Sequence, residues 1–268
     1  MTAKFGFIGC GNMGGALATA VSKTVESDRI WLCDSFAEKA ENLAACLGAQ
    51  TATVATIAAE CDYIFLGVKP QGFGALFDEL APCLHARKTP FVLVSMAAGI
   101  SIRAVEELAQ APVSVIRIMP NTPVSVGEGM LLYCSNSLVD AEQIAVFCRA
   151  LSAAGRLDAI TEDKIDAASA LSGCGPAFVY LFAEALADGA VACGLARDKA
   201  NLYAAQTLVG AAELLLTSGK HAGELKDAVC SPGGTTIAGV RALEEGGLRA
   251  SAMNAVIAAY EKTLKLKQ

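Results

Sequence analysis

The feature that most constrains this chain is a change of rhythm near residue 160. Before it, short runs rich in β-branched and aromatic residues, at 4–8, 30–33, 63–68, 91–95 and 113–119, alternate with helical stretches near 13–23, 37–47, 72–84 and 102–108. A repeating strand–helix order builds parallel strands joined by right-handed crossovers, so this half is expected to form a doubly wound sheet. A sheet-edge strand at 129–133 and a closing helix at 140–153, with Asp140 and Gln143 at capping-box spacing, are expected to complete it. From Thr161 onward the period is helical. Phe178, Leu181, Phe182, Ala185, Leu186, Gly189 and Cys193 share one helical face, and segment 199–216 is apolar nearly all round, carrying Leu202, Tyr203, Leu208, Val209, Leu214 and Leu215. A helix apolar on every side needs cover on more than one side. A domain this small cannot supply that cover, so a second copy of the chain is expected to. The expected fold class is therefore α/β: a doubly wound sheet over residues 1–160, then an all-helical dimerisation domain over 161–268.

Composition narrows the partners. The chain has 268 residues, 54% of them hydrophobic, which is ample for a core in each of two domains. A net charge of -6 with scattered Lys and Arg argues against a nucleic-acid surface. The one basic stretch, 262–267, suits the negative end of a helix dipole. No run of apolar residues is long enough to span a membrane without charge, since even 177–195 carries Glu184 and Asp188. The start, Met1-Thr2-Ala3-Lys4, leads into a strand pattern rather than a secretory leader, so a cytoplasmic location is expected. Ten cysteines without a Cys-x-x-Cys pair or zinc spacing read mostly as small core residues in a reducing compartment. His85 and His221 lack a nucleophile or metal-ligand pattern around them, which weakens triad hydrolysis and metal chemistry.

Two turns carry the chemistry. Gly9-x-Gly11-x-x-Gly14 follows a strand and opens a helix, the context of a Rossmann-like dinucleotide fingerprint: a tight turn, close backbone approach to pyrophosphate, and close helix packing. Asp34 ends the second strand, where an acid accepts hydrogen bonds from ribose hydroxyls; Ser35 and Lys39 beside it could hold a 2′-phosphate, so the choice between NADH and NADPH stays open. Val68, Lys69 and Pro70, the small residues Ala97 and Ala98, and Asn121 between two prolines follow later strands at the edge where such sheets bind ligands. The second turn, Ser231-Pro232-Gly233-Gly234-Thr235-Thr236, opens the run Ile237, Val240, Leu243. Backbone N–H groups of Gly233 and Gly234 at a helix start suit a carboxylate, and the two threonines supply a hydrogen-bonding hydroxyl. A helix cap accounts for Ser231 and one Thr, but not for the Gly pair with both.

The run 225–236, continued to Gly247, closely resembles the C-terminal signature of the pyrroline-5-carboxylate reductases. Leu171-Ser172-Gly173-Cys174-Gly175-Pro176-Ala177, Val68-Lys69-Pro70, residues 119–123 and the opening Phe7-Ile8-Gly9-Cys10-Gly11-Asn12-Met13-Gly14 support the likeness, in order across nearly the whole chain. The resemblance implies NADPH- or NADH-dependent reduction of L-1-pyrroline-5-carboxylate to L-proline. It implies that Thr236 hydrogen-bonds the substrate ring nitrogen, that Gly233, Gly234 and Thr235 hold its carboxylate, and that Glu162 is a substrate-site acid. With the glycine loop and the strand ends read above, the expected cofactor contacts are Ile8, Gly9, Cys10, Gly11, Asn12, Met13, Gly14, Asp34, Ser35, Val68, Lys69, Pro70, Ala97, Ala98 and Asn121. The resemblance further implies a helical homodimer and, as in some members, a ring of dimers, with no metal. Relatives often carry Asn at the position of Ala228 and again near Val54, which leaves cofactor choice open. A β-hydroxyacid dehydrogenase, hinted at by Pro123-Val124-Ser125, needs a Lys general acid that 166–176 lacks. A nicotinamide sensor without turnover has no use for the Gly-Gly-Thr-Thr turn.

Overall fold

The computed structural model describes residues 3–265; Met1 and Thr2 of the expected leaderless start and Leu266 and Lys267 of the basic stretch lie outside them. The elements are β1 (Phe5–Ile8), α1 (Asn12–Val21), β2 (Ile30–Cys33), α2 (Ala37–Leu47), β3 (Gln50–Thr51), α3 (Val54–Glu60), β4 (Tyr63–Leu66), α4 (Phe73–Ala86), β5 (Val92–Ser95), α5 (Ile102–Ala109), β6 (Ser114–Met119), β7 (Gly129–Ser135), α6 (Ala141–Ala150), β8 (Gly155–Ala159) and α7 (Glu162–Ser172), then the helices α8 (Gly175–Ala192), α9 (Arg197–Ser218), α10 (Ala222–Val229), α11 (Thr235–Glu245) and α12 (Leu248–Lys265). Two compact units result: the described residues up to Gly173 with those from Tyr260 onward, and Cys174–Ala259.

The first unit is an eight-stranded sheet in the order β3-β2-β1-β4-β5-β6-β7-β8. Its strands sort side chains onto two faces. Phe5, Phe7, Tyr63, Phe65 and Val94 join α1 and α6 on one side, with the Phe7 and Phe65 rings stacked at 4.4 Å. Ile64, Leu66, Leu93 and Val115 join α4, α5 and Ile165 of α7 on the other. Both faces are covered, which is why the strands read as continuous apolar runs. The sheet is doubly wound but not wholly parallel, because β7 runs antiparallel to β6. Only residues 120–128 join the two strands, too few for a crossover helix.

Four sequence expectations need correction. The strand at Gly129–Ser135 is not the edge, since β8 lies outside it, parallel to it. The closing helix stops at Ala150, where a short turn at Ser152–Ala154 leads into β8. Neither β3, α3 nor β8 was expected: β3 has two residues, and β8 reads Gly-Arg-Leu-Asp-Ala with no β-branched side chain. Of the ten free cysteines only Cys10, Cys61 and Cys134 are buried; Cys46, Cys174 and Cys193 are exposed. The expected capping box of α6 is present, with Asp140 and Gln143 exchanging hydrogen bonds of 2.8 and 2.9 Å.

The second unit is all helix. Its buried cluster within one chain is Ala187, Ala200 and Ala204, small residues where α8 and α9 pack closely. Leu202 and Val209 on α9 are 58% and 62% exposed, and Tyr180, Leu181 and Leu216 are likewise open. This is the two-sided apolar surface expected from the sequence. Glu162–Ala192 is long and apolar enough by composition to cross a membrane, although Gly173 and Cys174 break it into α7 and α8.

Candidate active site

β1 ends at Ile8, and the chain turns through Gly9, whose φ of +103° lies in the left-handed region that glycine tolerates. Gly9 N–H donates to the Cys33 carbonyl and Gly67 N–H to the Ile8 carbonyl, both at 2.7 Å, so the loop is pinned between β2 and β4. Gly11 caps α1 with no side-chain bond, which leaves the first N–H groups of the helix facing outward for an anion. A Cβ on Gly14 would sit 2.0 Å from the Gly9 carbonyl oxygen, whereas one on Gly11 would meet nothing within 4 Å. Gly14 therefore serves packing, and the space beside Gly11 is open.

That space opens into a cavity of about 420 Å³ lined by Gly11, Asn12, Met13, Lys69, Pro70 and the loop Met96, Ala97 and Ala98. It lies at the carboxyl ends of β1, β4 and β5, beside the point where strand order reverses, the usual ligand crevice of such sheets. Lys69 is exposed on its rim and makes no ion pair among the described residues. A second hollow of about 500 Å³ lies beyond the end of β2, lined by Asp34, Ala37, Ala52, Thr53 and Thr56 among others. Thr53 and Thr56 were missed in the sequence because the short β3 and α3 were. The available signal was the Thr-x-x-Thr spacing, in which Thr53 caps α3 by accepting from Thr56 N at 3.1 Å.

Asp34 does more than end β2. Its Oδ2 accepts from Cys10 N at 2.7 Å and its Oδ1 from Phe36 N at 2.9 Å, so the carboxylate ties the glycine loop to the start of α2. An ionised carboxylate has about four lone-pair sites, so acceptor capacity remains for a ribose. Ser35 Oγ stands 3.5 Å from Oδ1, and Lys39 Nζ rests over the Phe36 ring. Burial, followed by the charge of Asp34, pushes the Cys10 thiol up to about 12 and keeps it neutral. Ile8 and Cys10 point into the core, leaving only their backbone to face a dinucleotide.

Asn121 is turned away from the cavity. Its Nδ2 donates to the Ser172 carbonyl and its Oδ1 accepts from Met130 N, both at 2.9 Å, so the amide clamps the end of α7 to the start of β7. Glu162, at the opposite end of α7, accepts through one oxygen, Oε1, from Ile102 N at 2.8 Å and from Arg117 Nη1 at 3.1 Å. Arg117 Nη2 donates to Asp166 Oδ1, also at 3.1 Å. Arg117 and Asp166 were missed; the signals were a lone charge within the apolar strand Ser114–Met119 and two acids one helical turn apart.

The Gly-Gly-Thr-Thr turn lies in the second unit. Gly234 N donates to the Ser231 carbonyl at 3.0 Å, and Gly233 has φ +67°. Gly234 caps α11 without a side-chain bond, and Thr235 and Thr236 are exposed at its first turn. The turn is thus a helix start whose N–H groups no side chain consumes. The histidines are occupied locally, His85 by the Ala109 carbonyl and His221 by capping α10. Among the described residues, no group of three His, Cys, Asp or Glu is placed to hold a metal.

Fold and loop together define the class: a nicotinamide-dependent oxidoreductase with a Rossmann-like sheet and a separate helical unit. Residues 4–99 match the family described as NADP oxidoreductase, coenzyme F420-dependent, and residues 162–266 match the pyrroline-5-carboxylate reductase dimerisation family. The pyrroline-5-carboxylate reductase of Methanosarcina acetivorans is 39% identical over 98% of this chain and 97% of its own. The Coxiella burnetii enzyme structure superposes with a TM-score of 0.92 at 31% identity, covering all of both chains. A Plasmodium falciparum pyrroline carboxylate reductase with NADP bound gives 0.85 at 32% identity over 100% of this chain and 99% of that one. The chain belongs to the pyrroline-5-carboxylate reductase family.

Proposed function

We propose that this protein reduces L-1-pyrroline-5-carboxylate to L-proline with NADPH or NADH, the last step of proline synthesis. The observation that carries the reading is the pair of uncapped helix starts, at Gly11 in one unit and at Gly234 in the other, each presenting N–H groups to an anion. The cradle at Gly11 and the small-residue wall of Ala97 and Ala98 fit a dinucleotide. When bound, the reduced nicotinamide supplies a hydride to the imine carbon. Gly11, Asn12 and Met13 hold the pyrophosphate through backbone N–H groups, on a turn that Ile8, Gly9, Cys10 and Gly14 shape; Asp34 and Ser35 meet the adenosine ribose; Val68, Lys69, Pro70, Ala97 and Ala98 line the reactive half. Asn121 belongs to this set through its backbone or through the β7 segment it fixes. Gly233, Gly234 and Thr235 receive the substrate carboxylate, Thr236 Oγ hydrogen-bonds the ring nitrogen, and Glu162 offers its remaining oxygen to the site. A protonated imine needs orientation and dry walls more than a strong base, which suits a turn without Lys or His.

In this reading residues 1–160 bind the nucleotide and 161–268 form the dimerisation and substrate domain, a division supported by a family match that begins at residue 162. The homodimer covers the open faces of α8 and α9, and dimers assemble further into a ring. A cytoplasmic location is supported by ten free cysteines.

The test is oxidation of NADPH and, separately, NADH by purified protein with pyrroline-5-carboxylate, for the wild type and Thr236→Ala. Expected are wild-type turnover with at least one nucleotide and a loss of about 100-fold in kcat/KM for the variant, with nucleotide binding intact. Nucleotide binding without turnover in the wild type would leave a sensor in its place.

A further inference from the structure

Arg117 is 1% exposed in the middle of an apolar strand, and its guanidinium reaches across to α7, where it grips both Glu162 and Asp166. Burying such a group is costly, and an apolar side chain of similar size would serve packing at least as well. What a guanidinium adds is direction, because its planar fork fixes where its partners stand. The oxygen it fixes, Glu162 Oε1, is the same atom that accepts from Ile102 N, the first N–H of α5. Ile102 ends the loop 96–101, whose first residues Met96, Ala97 and Ala98 wall the cofactor cavity.

Packing holds part of the loop, with Ala97 buried, Ile100 against the same cluster and Met96 against the other, but its backbone is sparsely bonded. Among the described residues its one internal backbone bond is Ile100 N to the Ala97 carbonyl, at 3.4 Å, and Gly99 within it sits at φ +80° with open space around it. The path of its backbone between those packed side chains therefore leans on its two ends. One end is Ser95, paired in register with Arg117 itself; the other is Ile102, held by the carboxylate that Arg117 aims. The strand backbone at Arg117 thus stands beside one end of the wall, and its guanidinium, through Glu162, sets the other.

We propose that Arg117 is a positioning residue for the cofactor, acting through Glu162 and the Ile102 N–H to hold loop 96–101 against the nicotinamide half of the dinucleotide. This rests on the nicotinamide reading above. It gives Glu162 a hydrogen-bond acceptor role toward the loop, separate from any contact of its other oxygen with substrate. The acceptor, rather than the net charge, is what the loop requires.

The experiment is a fluorescence titration of the full-length protein with NADH and with NADPH, without imine, for wild type, Glu162→Ala, Glu162→Gln and Arg117→Met, with melting temperature read in parallel. Glu162→Ala should raise the cofactor Kd about tenfold. Glu162→Gln, which keeps an acceptor oxygen, should stay within about twofold. Arg117→Met should match Glu162→Ala, and the double variant should be no worse than either, as expected of one chain of contacts. If Arg117→Met does not fold, the Ala and Gln variants decide alone. An unchanged Kd in Glu162→Ala with a lowered melting temperature, or a raised imine KM as its only effect, would overturn the proposal; so would an equal loss in Glu162→Gln. Failure of imine turnover leaves these readings intact, whereas a wild type that binds neither nucleotide would overturn both proposals.

Discussion

Gly11 and Gly14 lie one turn apart in the same motif, yet substitution by alanine should break different things. In Gly14→Ala the new Cβ lands 2.0 Å from the Gly9 carbonyl oxygen, about 1.4 Å inside the 3.4 Å at which ordinary contact begins. The clashing atom is backbone, pinned by the Gly9 N–H to Cys33 bond, so it cannot rotate away as a side chain would. Overpacking of this kind costs about 3 kcal/mol, which for a protein of this size lowers the melting temperature by roughly 6–12 °C. In Gly11→Ala the backbone, at φ -67° and ψ -169°, suits any residue and the new methyl meets nothing within 4 Å. Stability should change by less than about 1 kcal/mol. The methyl instead enters the space proposed for the pyrophosphate, and losing about 1.4 kcal/mol of contact there raises the nucleotide Kd about tenfold. Scanning fluorimetry and nucleotide titration on both variants separate the effects. Wild-type affinity in Gly11→Ala would refute the placement of the pyrophosphate, and a wild-type melting temperature in Gly14→Ala would refute the packing argument.

Three more outcomes are expected. Asp34→Asn keeps one acceptor, for Phe36 N, sets an amide NH2 against Cys10 N and removes the negative charge facing a 2′-phosphate, so binding of both nucleotides should weaken while the ratio of kcat/KM for NADPH to that for NADH rises about tenfold in steady-state assays. Burial raises the folded-state thiols of Cys10 and Cys61 from 9.0 to about 12, so the stability these two groups contribute is fully present below about pH 9 and is lost as pH rises toward 12. The slope is about 1.4 kcal/mol per pH unit for each thiol, and Cys61→Ala should flatten one such share in urea melts across that window. Val209→Glu, on the 62% exposed flank of α9, should yield monomers by light scattering and lose turnover while the nucleotide still binds.

How much was legible depended on how local each signal was. The glycine loop, the Gly-Gly-Thr-Thr turn and the capping box of α6 are each defined within a few residues. The apolar girth of α9 could be read because one helix declares its own lack of a polar face. β3 and β8 were illegible since short or polar strands at an edge are held by neighbours rather than by propensity. The reversal of β7 hid in a connection whose length alone betrays it. The Arg117 node could not be read at all: its partners stand 45 and 49 residues away, and only the fold brings them together. Asp34 was read as a ligand contact because its place on the strand says so, while its bonds to Cys10 and Phe36 depend on a turn geometry that position does not encode.

Because the helical unit keeps so few of its side chains covered within one chain, every substitution on α8 or α9 is felt in duplicate. A symmetric pair presents each altered residue twice, so a change costing about 1.4 kcal/mol per copy shifts dissociation by about 100-fold rather than tenfold. A mixed pair of one altered and one intact copy bears a single such cost and dissociates only about tenfold more readily. A helix without a polar face thus makes the pair, rather than the chain, the unit on which a substitution acts.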